Sequence, residues 1–150
     1  ARRPRRRTRT ATVHDARLTG ALCLLGGRAS AEPGRVVSVI DGDTLSIALR
    51  ASVVKVRLAT VDTPEVGRNA LCVAEARAGE AASAFVRSAA PVGSVVDVRK
   101  APGRDPYGRY LGHVMLNDGR DLAAAIIGAG HGVPYAGRGP KAAERLGLCR

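Results

Sequence analysis

Two stretches, VIDGDTL from Val39 to Leu45 and VRLATVDTPE from Val56 to Glu65, place four acids, Asp41, Asp43, Asp62 and Glu65, and one arginine, Arg57, inside sequence that otherwise reads as apolar β-strand. Carboxylates gathered against low-dielectric walls repel one another and raise each other's pKa. A fold that keeps them there must supply a bound cation or a cationic side chain. The charge is tolerable only if the ends of these strands meet.

The strand pattern extends to either side. Arg35 to Ile40 and Thr44 to Leu49 are β-branched runs joined through Asp41-Gly42-Asp43, a hairpin signal. Asp41 and Asp43, two apart on an extended backbone, aim their side chains the same way, and Gly42 permits the bend that brings them together. In Val53 to Leu58 the apolar face is Val54, Val56 and Leu58, so Arg57 points away from the core. Asp62-Thr63-Pro64 stops the strand. Val73 to Ala90 is the clearest helix, with Ala78, Ala81, Ala82, Phe85 and Val86 at helical spacing. Val92 to Lys100 and Tyr110 to Leu116 read as two further strands around a Gly- and Pro-rich turn, and Asp121 to Ala129 as a short helix closed by Gly130. The tail is expected to be mostly irregular. Several α+β arrangements share this element order. One is an α+β, mainly β, five-stranded OB-fold Greek-key barrel with two to three helices.

A chain of 150 residues with 45% apolar content normally makes one domain, and without Trp and with one Phe its core must be aliphatic. The net charge of +11 suggests a polyanionic partner, but it is unevenly spread. Residues 1 to 31 hold eight arginines and one acid, whereas residues 32 to 150 hold 16 bases against 12 acids. The first segment runs from arginines through the apolar Leu18 to Leu25 to Ala29-Ser30-Ala31, the three regions of a secretory signal in order. It is read as a signal peptide or a disordered basic arm, with the domain proper at 32 to 150. Its apolar run is too short to span a bilayer. Cys23 would leave with the signal, and Cys72 and Cys149 then form an even pair suited to an oxidising compartment, secreted or periplasmic. A bridge between them would contribute roughly 4 kcal/mol on the chain-entropy view; two unrelated buried thiols is the other reading.

Asp43, Asp62 and the carbonyl of Thr63 are hard oxygen donors suited to Ca²⁺ or Mg²⁺, and nothing resembles a zinc site. Arg57 and Arg109 offer planar paired donors for phosphate, and Glu65 is a spare carboxylate able to orient water. An isolated Asp-Gly-Asp is most often a plain turn, and an isolated arginine a surface residue. Their combination supplies the parts needed to attack a phosphodiester.

VIDGDTL, VRLATVDTPE, the ASAFV of the helix and DPYGRYLGHV together resemble the staphylococcal nuclease family, in order, over Gly34 to about Tyr135. The resemblance implies that Asp43, Asp62 and the Thr63 carbonyl bind Ca²⁺, with Asp41 in the outer shell. It implies that Arg57 and Arg109 hold the phosphate and stabilise the five-coordinate transition state, that Glu65 orients or deprotonates the attacking water, and that Tyr107 contacts the substrate phosphate. Tyr135 is the nearest candidate for a base-stacking aromatic. The activity implied is cleavage of DNA and RNA, preferably single-stranded, at the 5′ P–O bond to leave 3′-phosphate ends, by a monomer. Pro106 stands where the best-known members carry a basic residue. The competing reading is a catalytically inactive nuclease-fold module that binds nucleic acid or a protein partner. It would ordinarily have lost some of these charged positions, and few aromatic side chains offer bases a stacking platform. Arg57→Ala and Glu65→Gln are both expected to lower the rate by orders of magnitude while leaving the fold intact.

Overall fold

A computed structural model describes residues 30–150. The reading of the first segment as a signal peptide or basic arm, Cys23 included, therefore falls almost wholly outside the described residues. Strands β1 (Glu32–Val39), β2 (Thr44–Ala48) and β3 (Val53–Leu58) form an antiparallel meander. A two-residue strand, β4 (Val61–Asp62), precedes helix α1 (Val73–Ala89), and β5 (Val95–Lys100) and β6 (Tyr110–Leu116) follow it. The barrel closes in the order β1-β2-β3-β6-β5, with β6 parallel to β3 and β5 antiparallel to β1. Helix α2 (Leu122–Gly128), strand β7 (Val133–Pro134) and helix α3 (Ala142–Arg145) complete the chain. This is the expected OB-type barrel with three helices.

Alternation along each barrel strand sends Val36, Leu45, Ile47, Val54, Val56, Leu58, Val96, Val98 and Val114 inward, each under about a tenth exposed. Leu122 and Ile126 of α2 and Val86 of α1 join the same cluster. Fully burying aliphatic side chains of this size is worth roughly 1.5–3 kcal/mol apiece, and the core carries no aromatic ring beyond the partly buried Phe85 and Tyr110.

Three departures from the sequence pattern bear on the site. The strand after α1 starts at Val95 rather than Val92, because Gly93 takes a positive φ of 87° in a turn whose amide bonds back to Val36. The tail is more ordered than expected: β7 pairs with β4, matching Val61 with Pro134 and Asp62 with Val133. Finally, α1 buries Glu75, Gly79, Ala82, Ser83 and Val86, while Ala81 is exposed. Its inward face is polar at the N-terminal end, for a reason given below.

Cys72 and Cys149 are bridged, with Cα atoms 5.7 Å apart across a sequence separation of 77. The bridge ties the end of the chain to the N-cap of α1, where Cys72 Sγ accepts the Glu75 amide. Cys149→Ser should lower the stability of the oxidised protein by about 2–4 kcal/mol. Thermal melts of wild type with and without reductant check this, and coincident melts would contradict it.

Candidate active site

The site is built where β2 begins and β3 ends. Asp43 enters β2 and is 7% exposed. Its Oδ1 accepts Thr44 Oγ1 at 3.0 Å, and its Oδ2 accepts the Thr63 amide at 3.3 Å. Asp41 accepts the Asp43 amide at 3.0 Å, closing a tight turn. Gly42 is needed there for room rather than for its dihedral freedom. Its φ is not positive, but a Cβ would lie 2.6 Å from Thr63 Oγ1 and 2.8 Å from Ala82 Cβ.

Arg57 pairs with Thr44 in the β2–β3 ladder, and its side chain does leave the barrel core. It does not enter solvent. The chain from Leu58 to Asp62 folds around it, so Nη1 donates to the carbonyls of Leu58 and Val61 and lies 3.2 Å from Asp43 Oδ2, while Nη2 donates to Asp62 Oδ1 at 2.9 Å. Nε and one Nη2 hydrogen have no partner among the described residues. Those are adjacent donors of the kind that grip a phosphate.

Asp62 is 3% exposed and heavily engaged. Besides Arg57, its Oδ1 accepts Lys141 Nζ at 3.4 Å, and its Oδ2 accepts the Ala142 amide at 2.8 Å. Ionised carboxylates accept about four hydrogen bonds, so Asp62 is nearly saturated by the chain itself.

Glu65 sits at the mouth, exposed, and its side chain makes no hydrogen bond among the described residues. Its amide donates to Glu75 Oε1 at 3.2 Å, and Glu75 Oε2 accepts the Leu71 amide at 2.7 Å. The buried Glu75 thus pins both ends of the loop that carries Glu65. The loop also lies directly on α1, where a Cβ at Gly79 would come 2.3 Å from the Glu65 carbonyl. This is why that face of α1 carries Glu75 and Gly79. Gly79→Ala should push the loop outward and lower activity by about tenfold or more, with a stability loss of roughly 1–3 kcal/mol. Steady-state rates beside a urea melt test this, and an unaltered rate would refute the contact's importance.

Arg109 reaches the site from the 101–109 turn. Asp105 orders that turn by accepting the amides of Tyr107 and Arg109 and the Arg109 Nε at 2.8 Å, with Gly108 at φ 76°. Both Nη groups of Arg109 are left over, and the guanidinium stands 5.2 Å from the Tyr107 ring centroid.

Asp41, Asp43, Arg57, Thr63, Glu65, Tyr107 and Arg109 all line one cavity of about 520 Å³. Burial pushes the Asp43 carboxyl up to about 6, against the pull of Arg57 and with the push of Asp41. Glu65 is raised too, by burial and then by the charges of Asp41, Asp62 and Glu75. The structure brings these seven residues to one cavity. Strand and turn patterns in the sequence do not reveal that Asp62 stands behind Arg57 and faces an adjoining cavity, nor that Lys141 and Asn69 share the main one. Tyr135 is not among its walls; its ring lies 4.5 Å beneath Lys141 Nζ.

A divalent cation fits the donor chemistry, since every candidate ligand is oxygen and the buried Asp43 is held in an environment that disfavours its bare charge. Among the described residues no three His, Cys, Asp or Glu side chains form a ready-made metal cage. The donor set suits an ion held by one or two carboxylates, a carbonyl and oxygens from water or substrate.

A family model for staphylococcal nuclease homologues matches residues 55–146, more than half of the chain. An uncharacterized endonuclease of Escherichia coli O157:H7 is 33% identical over 97 residues, covering 65% of this chain and 57% of the relative. The succinoglycan biosynthesis protein ExoI of Rhizobium meliloti is 35% identical over 123 residues, 75% of this chain and 58% of the relative. Endonuclease YhcR of Bacillus subtilis is 30% identical over 109 residues, 68% of this chain but 9% of that larger protein. The chain spans about half the length of the first curated relatives it matches.

Proposed function

The chain belongs to the staphylococcal nuclease homologue family, and on that premise we propose that it is a calcium-dependent nuclease that hydrolyses DNA and RNA, single strands preferentially, to leave 3′-phosphate ends. The observation that carries the reading is the convergence of two guanidinium groups with free donors and one raised, unpartnered carboxylate on a single cavity. Relatives named as endonucleases support it.

In this reading Arg57 and Arg109 clamp the scissile phosphate and neutralise charge that builds on its oxygens. Glu65 takes the proton of the attacking water. Tyr107, beside Arg109, contacts the phosphate, and Tyr135 offers its ring to a base. Asp43, Asp62 and the Thr63 carbonyl would hold Ca²⁺, with Asp41 behind them. Bound there, the ion polarises phosphoryl oxygens as a Lewis acid. For Asp62 to take part, Lys141 must give up its bond to Oδ1.

The order of arginines, apolar residues and small residues in 1–31 supports export, and the Cys72–Cys149 bridge suits an oxidising destination. The deciding assay incubates the protein with end-labelled single-stranded DNA and RNA, in calcium and then in chelator, and identifies the new termini. Calcium-dependent fragments ending in 3′-phosphate are expected. No cleavage in calcium, or undiminished cleavage in chelator, would overturn the proposal.

A further inference from the structure

A second cavity is larger than the one above. A groove of about 840 Å³ opens at the root of the 101–109 turn, lined by Glu32, Arg50, Lys100, Pro102 and Tyr110. Lys100 is the last residue of β5 and Tyr110 the first of β6. Adjacent residues on an extended backbone point to opposite sides. Arg109 accordingly faces the catalytic cavity, while Tyr110 faces this groove. The two cavities share no lining residue, but consecutive residues of one segment, Arg109 and Tyr110, line one each.

The groove is cationic around an aromatic ring. Arg104 lies 4.9 Å and Lys100 Nζ 5.6 Å from the Tyr110 centroid. Arg50 is exposed at the β2–β3 turn and joins them. Arg104 does not itself line the groove and joins it through the Tyr110 ring; among the described lining residues Glu32 is the one acid, 2.9 Å from Lys100. A ring with cations on it and a charged rim are the elements with which proteins hold single-stranded nucleic acid.

We propose that this groove is a second contact for the single strand, taking the backbone several linkages from the bond that is cut, with Arg50, Lys100 and Arg104 on phosphates and Tyr110 against a base or sugar. The inference rests on the nuclease reading of the neighbouring cavity. Arg104 and Arg109 are five positions apart in the chain, so their Cα atoms are at most about 17 Å from each other. A trimer cut at one linkage has one other phosphate to offer, next to the cut bond, whereas a 12-mer continues far enough past it to reach the groove.

The test pairs Arg50→Ala/Arg104→Ala with a charge-matched control on the exposed face of α1, Arg77→Ala/Arg87→Ala. Cleavage of a thymidine trimer and a thymidine 12-mer is measured in calcium, and binding of the fluorescein-labelled 12-mer in chelator across a salt series. The groove variant should cleave the trimer as wild type does and lose about tenfold in kcat/KM on the 12-mer. Its binding slope against log salt should fall by about 1.4, the contribution of two single-strand phosphate contacts. An equal loss on both substrates, or the same loss in the control, would overturn the groove. If wild type cleaves neither substrate, the nuclease reading fails, and the salt slope in chelator still decides for or against the groove.

Discussion

Arg57→Ala should lose both turnover and a large part of the protein's stability. The guanidinium is the partner of two carboxylates whose own side chains are only 9% and 4% exposed, at 3.2 Å and 2.9 Å. It also ties two carbonyls of the segment that folds around it. Removing one member of a buried ion pair strands the other charge, at a cost of about 3–5 kcal/mol, which is a large fraction of the 5–15 kcal/mol typical of a domain. The contacts therefore set aside the expectation, formed from strand position alone, that alanine would leave the fold intact. Arg57→Lys separates the two roles, because it keeps the positive charge but loses the planar fork. It should fold much more stably than the alanine variant yet remain slower than wild type by about a hundredfold or more. Adding Asp43→Asn to Arg57→Ala should return part of the lost stability, since it removes one stranded charge. Urea melts of the four proteins decide the matter. An alanine variant melting within about 1 kcal/mol of wild type would mean that the buried ion pairs carry no weight.

Regular alternation made the barrel readable in the sequence. A strand with one buried face must place apolar residues at every second position, and Val54-Lys55-Val56-Arg57-Leu58 does so without exception. The same logic could not reach β4 and β7, which are two residues each and too short to have a period. The face of α1 was misjudged because apolar periodicity presumes an apolar neighbour. Glu75 and Gly79 face a loop backbone that needs an acceptor and space. Spacing of four between Glu75, Gly79 and Ser83 was the available signal. Acid placement was legible for Asp41, Asp43 and Glu65, whereas the partners of Asp62 come from Lys141 and Ala142, about eighty positions away in a Gly- and Pro-rich tail with no pattern to mark them.

Glu65→Gln should be the opposite of Arg57→Ala, with a silent enzyme on an undisturbed fold. The side chain is exposed and makes no hydrogen bond among the described residues, and what holds the loop is its amide bond to Glu75. An isosteric amide changes none of that, so the melt should stay within about 0.5 kcal/mol of wild type, while loss of a general base costs about 10²–10⁴-fold in rate. The pH profile adds a second readout. Partial desolvation at the cavity wall and the charges of Asp41, Asp62 and Glu75 hold the Glu65 carboxyl above its ordinary 4.5. A raised acid keeps its proton more tightly when folded, so any stability it contributes is full at low pH and fades as pH rises through the folded pKa. Its service as a base runs the other way and appears over that same rise. The acid limb of kcat/KM in wild type should therefore lie above the usual range for glutamate, and should move to lower pH as calcium is raised, because a nearby doubly charged ion favours the carboxylate. At saturating calcium, where a bound ion would keep Asp43 ionised, the residual rate of Glu65→Gln should lose that limb. A glutamine variant that keeps both the limb and the rate would transfer the base role to another group.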